Sequence, residues 1–245
     1  MVTRKIAIVG GILAGLVSAA ASADMYNVRP VGDAMTLSTL NGLLISTNLS
    51  PAIDVVSDQS GAAIWQRAET DSAAYLVSLV SGVGKLGIYS YSNGSEYSLN
   101  VGSAADTATF KVNTAGTLSI NNATVAAGFG SLFGFYFERA PGSKVYTEDS
   151  KNAGNSNALT YQLASGSTID IVDGAGTDMA SFSGNNDWIL AFENTGDAKF
   201  NDGLFAIEDI KVPEPASIAL MALGLLGVTM VARRRSNKGV ALQFA

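Results

Sequence analysis

The chain has 245 residues, 47% of them apolar, and a formal net charge of −6 at pH 7, which suits one domain with targeting segments. It contains no Cys, and this excludes disulfide bonds, thiolate zinc sites and cysteine nucleophiles. It also contains no His, which excludes a Ser-His-Asp triad and the commonest protein ligand of zinc, copper and iron.

Residues 1–23 have the three parts of a secretory signal peptide. A basic start, Arg4 and Lys5, precedes an apolar run and a stretch of Ala and Ser. Ala21 and Ala23 fit the A-x-A pattern, because only small side chains at these two positions enter the pockets of signal peptidase. We therefore predict cleavage after Ala23. The alternative is an uncleaved membrane anchor, but the apolar run is short, which favours cleavage.

The stretch between the two ends is strongly acidic. Residues 24–212 contain 9 Lys and Arg residues against 20 Asp and Glu residues, a net charge of −11. An acidic surface repels the phosphates of nucleic acids, so no nucleic-acid partner is expected. It suits a solvated extracellular protein or one that binds cations, and charge for solubility alone is the alternative.

Residues 24–211 form the predicted passenger domain, which is mainly β. One helix is expected within Met35–Ile45. Short or alternating apolar runs then recur between turn signals such as Asn93-Gly94 and Pro141-Gly142, which favours an antiparallel β-sandwich or jelly roll. The predicted strands are Tyr75–Val80, Leu86–Ser92, Tyr97–Val101, Thr107–Val112, Thr117–Ile120, Leu132–Glu138, Leu159–Leu163, Thr168–Val172, Trp188–Glu193 and Leu204–Ile210.

Aromatic residues in these strands allow two interpretations. At alternating strand positions, packing in the core is the expected role. A face that stacks on carbohydrate is the alternative. The residues concerned are Tyr89, Tyr91, Tyr97, Phe135, Tyr136 and Trp188.

An acidic loop lies between the last two predicted strands. Ca²⁺ takes about six to eight oxygen ligands, so carboxylate and amide side chains in this loop predict a calcium site. The alternative is an ordinary turn, in which Asp and Asn side chains hydrogen-bond their own backbone. Lys199 would lower the affinity for calcium if it pointed inward. The predicted ligands are Glu193, Asp197, Asn201 and Asp202.

Residues 75–210 resemble a secreted bacterial domain of unknown function. That family ends in an apolar strand with an acidic residue, a D-x-D-F-N-D-like loop and a final strand. Lys199 stands where the family often has an acidic residue. The family has no settled activity, so the resemblance implies no mechanism. The residues that match its loop are Asp197, Phe200, Asn201 and Asp202.

The C-terminal end has three ordered elements. Val212-Pro213-Glu214-Pro215-Ala216-Ser217 is followed by an apolar run to Ala232 and then by Arg233, Arg234 and Arg235. The 17 residues 216–232 would form a helix about 26 Å long, near the minimum for spanning a bilayer. The arginines would remain on the cytoplasmic side. We therefore predict a transmembrane helix over residues 216–232 and a short cytoplasmic tail over residues 236–245.

This arrangement, over residues 212–235, resembles the PEP-CTERM sorting signal of Gram-negative bacteria, and Pro213, Glu214 and Pro215 are the matching tripeptide. The resemblance implies recognition by an exosortase, a membrane transpeptidase-like enzyme, and removal of the tail near the motif. It also implies association with exopolysaccharide, biofilm or floc matrix. The expected location is the cell surface or extracellular matrix, with membrane anchoring before processing.

Two classes of function remain. The first is a non-catalytic matrix or cell-surface protein whose passenger has an adhesive, structural or cation-linked binding role. The second is a carboxylate-dependent glycan hydrolase or lyase that acts on matrix polysaccharide, since two of the acidic residues could lie at glycosidase separation. No acid pair stands out at strand ends, which favours the first class. No catalytic residue is predicted, and calcium is the one cofactor considered.

Overall fold

The computed structural model describes residues 37–67, 71–79, 82–102, 106–173, 176–182 and 186–213. All of these residues belong to one compact unit. The predicted signal peptide, transmembrane helix and cytoplasmic tail lie outside the described residues. Among the residues described, no helix combines the length and the apolar character needed to cross a membrane.

The described residues form one α-helix, one 3₁₀ helix and fifteen strands. The helix predicted within Met35–Ile45 is therefore confirmed, and it extends one residue further. The elements are α1 (Ser38–Ser46), β1 (Trp65–Arg67), β2 (Ser72–Ser78), β3 (Lys85–Ser90), β4 (Glu96–Gly102), β5 (Thr107–Val112), β6 (Leu118–Ile120), β7 (Ala123–Ala126), β8 (Leu132–Ala140), β9 (Ser143–Tyr146), the 3₁₀ helix (Asp149–Asn152), β10 (Ala158–Gln162), β11 (Ser167–Asp173), β12 (Gly176–Phe182), β13 (Trp188–Phe192), β14 (Gly203–Ile207) and β15 (Ile210–Lys211).

Two large antiparallel sheets and a separate two-stranded hairpin make up the described part of the fold. The first sheet has the strand order β15-β1-β8-β3-β4, with β9 paired to β8. The second sheet has the order β10-β13-β14-β2-β5-β6-β7, and β11 and β12 form a separate hairpin. Every strand pair among the described residues is antiparallel. The predicted antiparallel, mainly β fold is confirmed.

The central core lies between the two sheets and contains apolar side chains from both. Period-2 alternation directs these side chains inward, as Leu86 and Ile88 of β3 illustrate. Trp65 of the first sheet meets Trp188 of the second edge to face, with ring centroids 5.7 Å apart. The other large aromatic rings of this core are Phe110, Phe129, Phe133, Phe135, Phe137, Phe192 and Phe205.

A second core covers the outer face of the second sheet. Leu37, Leu40 and Leu44 lie at helical spacing, so α1 and the turn before it present one apolar face to the sheet. The β11–β12 hairpin adds Ile169 and Phe182 to the same core. These segments close the sandwich on this side as a third layer.

The outer face of the first sheet is covered by its own side chains. The ring of Tyr89 in β3 lies over Gly134 of β8, and the ring of Tyr136 lies over Gly87. A Cβ atom would approach the tyrosine ring to 2.4 Å at Gly134 and to 2.1 Å at Gly87. Each glycine therefore leaves the space that the tyrosine on the neighbouring strand fills.

The sequence allowed a carbohydrate-stacking face of six aromatic residues, and the structure shows how deeply each of them is buried. Tyr89, Phe135, Tyr136 and Trp188 are all buried, so core packing is confirmed for them and a carbohydrate-stacking face is wrong. The remaining two, Tyr91 and Tyr97, are partly buried against the cores.

The predicted strand Leu204–Ile210 is wrong as a single strand. It forms two strands in different sheets, β14 in the second and β15 in the first. Asp209, between them, has a positive φ of 60°, which turns the chain from one sheet to the other. β1, β7, β9 and β12 were not predicted. β1, β7 and β9 have only three or four residues, too few to display an alternating pattern.

Candidate functional site

The four predicted calcium ligands lie in one loop at the end of the second sheet. β13 and β14 pair up to Phe192 and Gly203, so residues 193–202 form the connection of a hairpin. Glu193, Asn201 and Asp202 are buried, whereas Asp197 is exposed. All four residues therefore lie in the loop between β13 and β14.

The buried carboxylate of Glu193 is the centre of this loop, with 3% of the residue exposed. Both of its oxygens accept hydrogen bonds from backbone N–H groups, and Oε1 also accepts the Thr195 hydroxyl at 2.8 Å. The backbone of the loop thus folds around the carboxylate of Glu193, which belongs to the same loop. The backbone donors are Thr195, Gly196, Asp197, Lys199 and Phe200, at N···O distances of 2.6–3.3 Å.

Left-handed backbone conformations direct these N–H groups inward. Gly196, Ala198 and Phe200 have φ values of 81°, 59° and 50°. These left-handed residues occupy every second position of the loop, and successive amides that point to one side form a concave row that suits an anion. The conformation is uncommon for Ala and Phe, so the hydrogen bonds to Glu193 stabilise an otherwise unfavourable backbone.

The other acidic side chains of the loop have partners of their own. Asp202 Oδ2 accepts the N–H of Asn194 at 2.6 Å. The side chain of Asn194 in turn bonds the backbone and hydroxyl of Ser143, at 2.9 and 3.0 Å, and so ties the loop to the first sheet. Asp197 Oδ2 pairs with Lys199 Nζ at 2.6 Å. The hydrogen bond from Lys199 lowers the pKa of Asp197, and Asp197 raises the pKa of Lys199.

These contacts are those of the ordinary turn described as the alternative to calcium. Among the described residues, no group of three or more acidic side chains is arranged to hold a metal ion. A carboxylate has about four lone-pair sites. Those of Glu193 that accept backbone N–H groups are not available to a cation. Lys199 forms an ion pair with Asp197 and neutralises its charge. Calcium binding at this loop stays a prediction.

A second acidic cluster was not predicted. Asp187 precedes β13 and Glu208 follows β14, and the pairing of Trp188 with Ile207 brings them together with Asp209. Asp209 N–H donates to Asp187 Oδ1 at 3.1 Å, and the Tyr75 hydroxyl donates to Glu208 Oε1 at 2.8 Å. Burial, together with the charges of Asp209 and Asp187, raises the pKa of Glu208. The strand pairing, which sequence spacing does not reveal, creates this cluster.

A third charged cluster covers the outer face of the first sheet. Glu96 accepts the Tyr146 hydroxyl and pairs with Lys144, both at 2.7 Å. Burial opposes ionisation of Glu96, but the bonds from Lys144 and Tyr146 outweigh it and lower the pKa of this carboxyl. Lys144 Nζ lies 4.8 Å from the ring centroid of Tyr136. The Glu96 carboxylate thus has a cation and a tyrosine hydroxyl as partners, and the same cation lies over the ring of Tyr136.

Described residues line at least two cavities. One, of about 220 Å³, contains Asp71, which pairs with Lys111 at 2.8 Å. The other, of about 510 Å³, lies between α1 and residues 52–56 and contains Asp54. Backbone hydrogen bonds from Ser57 and Val56 lower the pKa of Asp54. Neither cavity lining contains a pair of carboxylates.

Comparison with known proteins identifies the C-terminal segment. The family model of the PEP-CTERM protein-sorting motif matches residues 211–235. The match confirms the predicted sorting signal and includes Pro213-Glu214-Pro215 and the three arginines, of which Pro213 is a described residue. No curated protein and no solved structure matches the chain. The resemblance of residues 75–210 to a domain of unknown function stays a prediction.

Proposed function

We propose that this PEP-CTERM protein, exported in a Gram-negative bacterium as a substrate of an exosortase, is a non-catalytic component of the cell surface or extracellular matrix. Its passenger has a structural, adhesive or cation-linked binding role, and exopolysaccharide is the expected partner. The sorting motif at residues 211–235 is the observation that carries the proposal, because it directs the acidic β-sandwich to the cell exterior.

The environments of the carboxylates support a non-catalytic role. A retaining or inverting glycosidase needs two carboxylates that face one another across a substrate cleft. In the two cavities described above, the one carboxylate present is already engaged by a lysine or by backbone N–H groups. Glu193 accepts hydrogen bonds at both oxygens from its own loop.

The charge of the passenger supports a role in a hydrated matrix. A net charge of −11 over residues 24–212 keeps the protein solvated and prevents close packing with other acidic molecules. Divalent cations, which prefer oxygen ligands, would link such a surface to an acidic polysaccharide. Adhesion would then depend on calcium or magnesium even without a buried metal site.

Replacement of Pro213, Glu214 and Pro215 by alanine tests the sorting step. We expect the variant to keep its tail and to remain in the membrane fraction, whereas the wild-type protein loses the tail and leaves that fraction. Pro141→Ala, in an exposed turn, is the matched control and should behave as wild type. Equal release of the alanine variant would contradict processing by an exosortase at this motif.

Incubation of the processed protein with purified exopolysaccharide tests the role of the passenger. We expect the protein to sediment with the polysaccharide and to leave its chain length unchanged. Shortening of the polysaccharide would favour the hydrolase or lyase alternative. Asp187→Asn and Glu208→Gln would then show whether the acidic cluster next to β13 is responsible, with Asp71→Asn as the control.

Thermal unfolding with calcium or with a chelator tests the cation-linked role. Binding at the loop would raise Tm at millimolar Ca²⁺, and Asp197→Ala or Asp202→Ala would remove the rise. An unchanged Tm, or a rise that persists in both variants, would contradict a calcium site at residues 193–202. Calcium-dependent sedimentation with polysaccharide, without a change in Tm, would indicate surface bridging instead.

A further inference from the structure

We propose that docking of β15 on the sandwich restrains the sorting motif, so that the exosortase removes the tail only when this strand detaches. The inference rests on the proposed processing by an exosortase. It concerns the described residues Ile210–Pro213, where the fold and the sorting motif overlap. The match to the motif begins at Lys211, which is the second residue of β15.

The overlap leaves no linker between the folded domain and the motif. β15 pairs with β1 at the edge of the first sheet, with Lys211 opposite Gln66 and Ile210 opposite Arg67. Only Val212 separates the strand from Pro213. Val212 packs against the central core, and Pro213 is buried. The first residue of the tripeptide therefore directly follows a residue packed on the core and is itself shielded from solvent.

Ile210 is the anchor of this short strand. Its side chain is fully buried in the central core. Its N–H donates to the backbone oxygen of Asn186 at 2.9 Å, and its own oxygen accepts the indole N–H of Trp188, also at 2.9 Å. Trp188 is itself buried between the sheets. The strand is thus held by two hydrogen bonds besides those to β1.

A protein that recognises an extended peptide by strand addition pairs with the main-chain groups of that peptide, and we expect the exosortase to bind its substrate in this way. The backbone of β15 already uses these groups, so the segment before Pro213 is not free to enter an active site. A two-residue edge strand can detach by local opening while the rest of the sandwich stays folded. The rate of processing then follows the fraction of molecules in which β15 is open.

An inserted linker tests the proposal without weakening the core. Six Gly and Ser residues between Lys211 and Val212 leave β15 docked and move the complete V-P-E-P-A-S segment away from the fold. The full-length chain is expressed in an exosortase-containing host, and loss of the tail is followed by pulse-chase. We expect tail removal to be at least about threefold faster than in the wild type. The same insertion between the exposed residues Pro141 and Gly142 is the control and should leave the rate unchanged.

A pair of core substitutions gives an independent measurement. Ile210→Ala weakens the docking of β15, whereas Ile88→Ala removes the same atoms from β3 in the same core. We expect faster tail removal in Ile210→Ala than in Ile88→Ala, again by at least about threefold. This comparison separates release of the strand from general loss of stability.

The outcomes distinguish this inference from the processing on which it rests. Normal loss of the tail in the wild type, with no acceleration by the linker or by Ile210→Ala, would overturn the restraint and leave processing intact. Slower removal in the linker variant would overturn it as well. Retention of the tail in the wild type and all variants would overturn both.

Discussion

The two sheets cover their outer faces in different ways. The second sheet relies on distant segments, because α1 and the β11–β12 hairpin pack on it to form a separate apolar core. The first sheet uses rings from its own strands, with Tyr89 over Gly134 and Tyr136 over Gly87. An added methyl group therefore has open space at Gly42 on α1, whereas at Gly134 and Gly87 of the first sheet it would overlap a tyrosine ring.

Each outer face also carries a carboxylate that accepts a hydrogen bond from a tyrosine, yet their pKa values shift in opposite directions. Glu96 on the first sheet has Lys144 beside it, and its pKa is lowered although burial opposes this. Glu208 beside the second sheet is half-buried next to Asp209 and Asp187, and its pKa is raised by this burial and by the two charges. Burial raises the pKa of both carboxyls and the tyrosine bond lowers it in both. Lys144 adds a cation that reverses the effect of burial on Glu96, whereas Asp209 and Asp187 add to the effect of burial on Glu208.

Gly134→Ala should have the largest effect on stability. The new Cβ would lie 2.4 Å from the buried Tyr89 ring, which must move and lose its 3.1 Å hydrogen bond to Glu148. We expect the free energy of unfolding to fall by about 3 kcal/mol, measured by urea denaturation.

Gly42→Ala, on the exposed side of α1, is the matched control for Gly134→Ala. Nothing lies within 4 Å of its new Cβ, so it should stabilise the helix by about 0.5–1 kcal/mol. Equal effects of the two substitutions would show that the faces do not differ in packing.

Alkaline pH should weaken the first sheet through its tyrosines. Burial, with the charges of Glu96 and Glu138, raises the pKa of Tyr136 to about 12 from an ordinary value of 10.0. Between these two values the unfolded chain has lost a proton that the folded protein keeps, so stability falls as pH rises. We expect Tyr136 to account for a loss of up to about 2 kcal/mol, and Tyr136→Phe to reduce the slope of stability between pH 10 and 12. An unchanged slope would contradict burial of this hydroxyl.

Removal of the two glutamates should change stability in opposite directions. Glu96 is stabilising above its ordinary pKa of 4.5, and this contribution is lost as pH falls through its lower folded value. Glu208 retains its proton above 4.5 in the folded protein, so its contribution becomes unfavourable as pH rises. At pH 7 we expect Glu96→Gln to lose and Glu208→Gln to gain about 1 kcal/mol or less in urea unfolding. Both differences should shrink at pH 3, and changes of the same sign would refute the comparison.

Lys151→Met should have the smallest effect. Lys151 Nζ lies 4.7 Å from the ring centroid of Tyr89 and 5.3 Å from that of Tyr146, and so covers both rings with a cation. Methionine keeps the length and removes the charge, so we expect a loss of about 0.5 kcal/mol in urea unfolding. A loss as large as that of Gly134→Ala would mean that the lysine, not the glycine, is what keeps Tyr89 in place.

The strands were predictable where the sequence alternates over enough residues. β5, Thr107–Val112, was predicted with its observed bounds because every second residue is buried and none of the others is. β1 and β9 were missed because Trp65–Arg67 and Ser143–Tyr146 are too short and polar for such a pattern. The turn at Asp209, which divides β14 from β15, depends on a left-handed backbone that the residue type alone does not indicate.

The position of the candidate loop was predictable, but the roles of its residues were not. The sequence shows that Glu193 and Asp202 lie in one short segment between two predicted strands. The donors to Glu193, however, are backbone N–H groups, which any residue supplies, and they converge because Ala198 and Phe200 are left-handed. In the same way, the pairing of Tyr89 with Gly134 depends on strand register and not on distance along the chain.

The tyrosine-over-glycine pairs also limit how this sequence can diverge. A side chain at Gly134 becomes acceptable only if residue 89 shrinks, and the same holds for Gly87 and residue 136. In relatives with this fold, each glycine should therefore vary together with the aromatic residue on the adjacent strand. The two pairs should therefore help to recognise and align such relatives even where the rest of the sequence is no longer similar.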